Sequence, residues 1–147
     1  MSMEQRVSLI TLGVPDLEEA SAFYEALGWR REQTPEGIVV FDLISQTLGL
    51  YPIDKLAEDI GLPAEALGTG AMTLSYNCRS VEEAQQVMDL AEKAGAGVLR
   101  PVSEVFWGGH TGYFRAPDGH IWEISHNPFS RLSKEGAFCW NGFSEES

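Results

Sequence analysis

Ser8-Leu9-Ile10-Thr11-Leu12-Gly13-Val14, followed by Asp16-Leu17-Glu18-Glu19, is the stretch on which the fold turns. Its first seven residues alternate, and Ile10, Leu12 and Val14 form the apolar set that a half-buried β-strand turns to one side. Asp16 then stands three residues before Glu19. This is a variant of the capping box, in which a side-chain oxygen takes a free N–H of the first helical turn. Leu17, Ala20, Phe23, Tyr24 and Leu27 recur at helical spacing on one stripe, and Gly28 ends the helix.

The same phrase returns 64 residues further on. In Thr73-Leu74-Ser75-Tyr76-Asn77-Cys78, the residues Leu74, Tyr76 and Cys78 fall in phase with Ile10, Leu12 and Val14. Ser80-Val81-Glu82-Glu83 repeats the cap. Val81, Ala84, Val87, Met88 and Ala91 occupy the same offsets as the first stripe, and Gly95 is the stop. Any two amphipathic helices share a period. Agreement of strand phase, cap and stripe at one offset points instead to an internal duplication.

Each half continues with strands. They are expected at 29–33, 37–43 and 46–51 in the first half, and at 98–105, 110–116 and 120–125 in the second. Pro117-Asp118-Gly119 marks a turn between the last two. A short helix is expected at 53–61, and 62–70, rich in Gly, Ala and Pro, connects the halves. The fold class is therefore α+β: two tandem β-α-β-β-β units, curled mixed sheets around a pocket, in a single domain over 1–147. The repeats span about 7–61 and 71–128, and 129–147, without a period, is a tail or an edge packed on a partner subunit.

Composition narrows the function. Ten Lys and Arg against 22 Asp and Glu give a formal net charge of -12. Such a surface repels phosphate backbones and anionic lipid heads, so neither nucleic acid nor membrane is an expected partner. No apolar run reaches the length of a membrane span. The segment Met1-Ser2-Met3-Glu4-Gln5-Arg6 lacks the pattern of a signal peptide. Cys78 and Cys139 form neither a CxxC pair nor a disulfide framework, and the expected compartment is a reducing cytoplasm.

Two segments carry a family resemblance. The first is Val14-Pro15-Asp16-Leu17-Glu18 with Phe23-Tyr24-Glu25-Ala26-Leu27-Gly28-Trp29, and the second is Gly112-Tyr113-Phe114-Arg115-Ala116-Pro117-Asp118-Gly119-His120-Ile121-Trp122-Glu123. They resemble the strand-to-helix motif and the late hairpin of the vicinal oxygen chelate superfamily, which includes glyoxalases, bleomycin-resistance proteins and extradiol dioxygenases. The resemblance implies a divalent metal held by His, Gln or Glu from the first and fourth strands of each unit, acting as a Lewis acid. The positions it assigns to ligands are Leu9, Gly49, Thr73 and Glu123. One carboxylate in four leaves the metal site without its chemistry, so no metal is expected. The reach of His110, after Trp107-Gly108-Gly109, is open; His120 and His126 do not rescue the site. His120 and His126 each lie an odd number of residues from Glu123, hence on the opposite strand face.

Alternation also selects the cavity wall. Leu9, Thr11 and Gly13 oppose the apolar set of the first strand, and Thr73, Ser75 and Asn77 that of its repeat. Gly49 and Tyr51 extend one wall; Ile121, Glu123 and Ser125 extend the other. Trp107, before Gly108 and Gly109, either swings over the cavity or fills core. The ligand-binding candidates are Leu9, Thr11, Gly49, Tyr51, Thr73, Ser75, Trp107 and Glu123. Glu123 is also the one catalytic candidate, as a buried general acid or base. His120 is expected at the surface beside a turn. The expected function is capture of a small organic molecule by a homodimer without a cofactor. A lyase or dioxygenase-like enzyme with an altered ligand set, and a non-catalytic accessory dimer, stand as alternatives.

Overall fold

A computed structural model describes residues 1–146. The chain runs β1 (Leu9–Val14), α1 (Leu17–Ala26), β2 (Val39–Leu43), β3 (Gln46–Pro52), α2 (Ile53–Ile60), a 3₁₀ turn Ala64–Ala66, β4 (Thr73–Asn77), α3 (Val81–Lys93), β5 (Gly97–Glu104), β6 (His110–Arg115) and β7 (Ile121–His126). Two sheets form, in the orders β1-β3-β2 and β4-β7-β6-β5. In both, the first strand of the repeat lies parallel to the last, and the others pair antiparallel. The duplicated frame and the α+β class hold. Both caps form as expected: Asp16 Oδ1 accepts from Glu19 N at 2.9 Å, and Ser80 Oγ from Glu83 N at 3.0 Å.

One expected strand is absent. Residues 29–33 carry no ladder, so the first sheet has three strands. The Trp29 N–H closes back on Tyr24 O at 3.3 Å, and its ring stacks on Tyr24 with centroids 5.4 Å apart. Burying that indole against Tyr24 and Phe41 turns the chain inward, and a backbone bond from Glu32 N to Val40 O at 2.8 Å ties the segment to β2.

The core lies between the two repeats. Helix α1 is buried on two sides at once, through Ala20, Ser21, Phe23 and Tyr24. Tyr24 meets Phe41 of the first sheet and Trp122 of the second, both at 6.0 Å, and Phe23 meets Phe114 at 5.9 Å. Tyr24, Phe41 and Phe114 are wholly buried, each stabilising by roughly 1.5–3 kcal/mol. A polar tie runs through this core. The Tyr24 hydroxyl donates to Asp118 Oδ2 at 2.7 Å and accepts from Trp122 Nε1 at 3.2 Å. His120 N donates to Asp118 Oδ1 at 2.9 Å. His120 is half-buried rather than a surface residue, because its Nε2 bonds Gly13 O at 2.9 Å and so joins the late hairpin to β1.

Residues 129–146 fold back onto the same chain. Arg79 Nη2 donates to Ser133 O at 3.2 Å and Lys134 O at 3.0 Å. A Cβ at Gly136 would lie 3.2 Å from Ile44 and 3.5 Å from Arg79, so this segment touches both repeats.

Candidate functional site

Each sheet has one face turned to the helices and one turned away, here called open. On the open face of the second sheet the pairing register sets Ser75 beside Glu123, Glu123 beside Tyr113 and Tyr113 beside Arg100. The Ser75 hydroxyl donates to Glu123 Oε1 at 3.0 Å, and the Tyr113 hydroxyl to Oε2 at 2.7 Å. Both carboxylate oxygens are thus engaged by neutral donors. The bond to Glu123 pushes the Tyr113 phenol above its ordinary pKa, burial adds to this, and Arg100 opposes it. Tyr113 holds its proton, as a hydrogen-bond donor to a substrate or to Glu123 must.

Sequence reasoning missed Tyr113 and Arg100. Tyr113 had a signal: it and Glu123 stand five residues either side of Asp118, the centre of the turn, so the hairpin register pairs them. Arg100 had none, because β5 slips register on both sides of it.

One step along the face lie Asn77, Ser125, Thr111 and Ser103, and beyond them Trp107. A Cβ at Gly109 would sit 2.0 Å from Trp107 Cζ3. Gly109 precedes Thr111 by two residues, so the indole lies on the open face, against the position of a missing side chain. Trp107 is 38% exposed and does not fill core.

The open face of the first sheet holds Leu9, Thr11, Gly49 and Tyr51. A Cβ at Gly49 would meet Thr11 Oγ1 at 3.5 Å and Leu9 Cδ1 at 3.6 Å, so glycine leaves a shallow apolar floor. Helix α2 closes one end, with Leu56 and Ile53 within 3.1–3.2 Å of where a Gly13 Cβ would stand. A cavity of about 430 Å³ results, lined by Thr11, Tyr51, Glu36, Ile38, Leu56 and Asp59 among others. Hydrogen bonding to Asp59 raises the Tyr51 pKa. Glu36 and Asp59 were not foreseen, because a loop and a helix bring them in from outside the strand pattern.

The expected ligand residues therefore fall into two groups. Leu9, Thr11, Gly49 and Tyr51 share one open face; Thr73, Ser75, Trp107 and Glu123 share the other. The helix-side faces meet in the core through Tyr24, Phe41, Phe114 and Trp122. The open faces hence point away from each other. The sequence is compatible with units paired within one chain or between chains; within this chain the two open faces do not enclose one pocket.

Two β-α-β-β-β-type repeats with outward open faces have clear relatives. The family model described as Glyoxalase/Bleomycin resistance protein/Dioxygenase superfamily matches residues 6–124. The chain belongs to this superfamily. A glyoxalase-related enzyme from Fulvimarina pelagi is 34% identical, with a TM-score of 0.86, covering 95% of this chain and 100% of that one. A glyoxalase/bleomycin resistance protein/dioxygenase family enzyme from Burkholderia phytofirmans is 17% identical over 81% of this chain and 96% of its own, TM-score 0.74. A lactoylglutathione lyase from Agrobacterium tumefaciens is 20% identical over 85% and 96%, TM-score 0.65. The last two share the fold alone. A search among curated proteins found no match.

The metal that glyoxalase-superfamily enzymes hold does not fit the donors present here. Leu9 is aliphatic, Gly49 has no side chain, and Thr73 is a poor ligand. Glu123 has both oxygens in hydrogen bonds. Among the described residues no three His, Cys, Asp or Glu side chains converge. Nor is any helix among them long and apolar enough to cross a membrane.

Proposed function

We propose that this chain captures a small organic molecule, without a metal, in a cleft that two copies build together. The carrying observation is Glu123, whose carboxylate is held by Ser75 and Tyr113 on the open face of the second sheet. A carboxylate fixed by two neutral donors, with Arg100 beside them, orients a polar group of a ligand. The other face offers an apolar floor at Leu9 and Gly49, with the Thr11 hydroxyl beside it.

Edge strands support the pairing of copies. β1 and β4 each end a sheet, and neither contains a charged residue or a proline. Exposed flat edges of this kind invite another strand. Setting β1 of one copy beside β4 of its partner places the two unlike open faces across one cleft, twice per dimer. A reducing, cytoplasmic location accords with the free Cys78 and Cys139.

A second reading is catalytic. The Fulvimarina pelagi relative is described as a glyoxalase-related enzyme. The Tyr113–Glu123 pair could pass a proton as acid and base.

Sedimentation should give twice the 16.2 kDa chain mass. A thermal-shift screen of small aromatics and polar heterocycles, with and without divalent metals, tests capture. A ligand at 100 times its Kd stabilises by about 2.7 kcal/mol. Glu123→Gln should weaken the best ligand about tenfold. Unchanged affinity would remove Glu123 from the site. One divalent ion retained per chain through gel filtration would overturn the metal-free reading. Turnover of the ligand by the metal-free protein would favour the catalytic one.

A further inference from the structure

A second concavity lies away from both open faces, between the β4–α3 junction and the folded-back tail. Its volume is about 460 Å³, and Arg79, His126, Arg131, Lys134 and Glu145 are among its walls. The chain carries ten Lys and Arg against 22 Asp and Glu. Three of those ten cations surround one cavity. In a chain of net charge -12, cations scattered for solubility would sit beside carboxylates instead.

Their partners are few. The Arg79 guanidinium donates to two backbone carbonyls, Ser133 O and Lys134 O, and to no carboxylate among the described residues. That accounts for Arg79 as a clamp on the tail. It does not account for Arg131 and Lys134 around the same cavity. Arg131 meets Glu145 at a loose 3.5 Å, with both side chains more than half exposed, a pair worth little. Lys134 forms no ion pair among the described residues. His126 Nδ1 lies 3.1 Å from Cys78 O, which fixes the ring and leaves Nε2 unengaged by that bond.

We propose that this cleft binds a small phosphomonoester, its phosphate held by Arg79, Arg131 and Lys134. Guanidinium groups match the geometry of phosphate oxygens, and a lysine adds a point charge. The cavity falls within the range of about 300–1,000 Å³ typical of small-molecule sites, larger than a bare ion needs. Asn127 and several serines supply polar surface for the organic part. Glu145 competes with the phosphate for Arg131.

Titration calorimetry at low ionic strength tests this, with glycerol 3-phosphate and inorganic phosphate as probes. The expected result is saturable binding at one site per chain, tighter for glycerol 3-phosphate. Arg131→Gln with Lys134→Gln, both on exposed positions, should lose about tenfold in affinity. Glu145→Gln should gain about two- to fivefold, since it frees Arg131. Glu123→Gln should change nothing, so this site and the open-face site fail separately. No saturable binding in the unaltered protein, or equal affinity in the double variant, would overturn the proposal. Equal affinity for both probes would overturn the assignment to an organic phosphate.

Discussion

Replacing Asp118 by alanine should strike the joint between the two repeats. Asp118 is 5% exposed and accepts from the Tyr24 hydroxyl at 2.7 Å and from His120 N at 2.9 Å. Hydrogen bonds to a charged group are worth about 1.5–3 kcal/mol each. Removing the carboxylate also removes its desolvation cost, several kcal/mol, which offsets part of the loss. The net expectation is about 3 kcal/mol, because two donors are left without their acceptor. For a chain of this size that lowers Tm by about 6–12 °C. Urea denaturation of the wild type, Asp118→Ala, Tyr24→Phe and the double variant isolates the shared bond. A coupling energy of about 1.5 kcal/mol or more is expected between the two sites. Asp118→Asn keeps one acceptor oxygen and should cost less than half as much. Additivity within about 0.5 kcal/mol would refute the reasoning, since the two side chains would then not act through each other.

Alkaline pH should destabilise the fold more steeply than surface titration alone. Burial, with Asp118 beside it, raises the Tyr24 phenol well above its ordinary range, and burial pushes the Cys78 thiol up to about 12. Both groups stay protonated when folded. The unfolded chain ionises first, so their contribution is intact below the unfolded pKa values, about 8.5 for Cys and 10 for Tyr, and is lost as pH rises. Stability followed by urea denaturation at rising pH should fall by about 1.4 kcal/mol per pH unit for each such group, and Tyr24→Phe should flatten the slope above about pH 10. Gly109→Ala puts a Cβ 2.0 Å from Trp107 Cζ3 and 3.0 Å from His126 O, so the indole must leave the open face. A cost of about 1–3 kcal/mol and a changed near-UV circular dichroism spectrum are expected; an unchanged spectrum would mean that the ring never lay there. Ser80→Ala removes the acceptor for Glu83 N and should cost about 1 kcal/mol in urea denaturation.

What the sequence disclosed was local. Alternation, capping oxygens and the turn at Asp118 each need a few neighbouring residues, and the repeat made every such signal count twice. Residues 29–33, Trp-Arg-Arg-Glu-Gln, have one apolar residue and no alternation to hold a strand, and Trp29 stacks on Tyr24 instead. The sidedness of the repeats was also hidden. Helix α1 has one apolar stripe in the sequence, yet Phe23 and Tyr24 serve two sheets, and no period reports how many surfaces one stripe meets. Period two separates Leu9, Thr11, Thr73, Ser75 and Glu123 from the helix-side residues of their strands, but it says nothing of Trp107, which lies in the loop between β5 and β6. Whether the two faces look at each other depends on contacts between residues nearly a hundred positions apart, such as Tyr24 with Asp118 and Trp122.

The inequality of the two faces bears on how copies would pair. Glu123, Tyr113, Ser75 and Arg100 make one face polar, while Leu9 and Gly49 give the other a shallow apolar floor beside a cavity that Glu36 and Asp59 also line. α2 roofs one end of the Leu9 and Gly49 face, and Trp107 stands at one end of the Glu123 face. Joining like to like would set Glu123 against the partner's Glu123, two carboxylates across a dehydrated seam, which is unfavourable. It would also leave both apolar floors in water. Joining unlike faces about a two-fold axis covers each apolar floor with a polar face and makes two identical clefts. Each cleft then has an apolar side for the body of a ligand and one oriented polar group for its head, the composition small-molecule sites share. Divergence of the repeats, rather than their likeness, is thus what gives the proposed cleft its specificity.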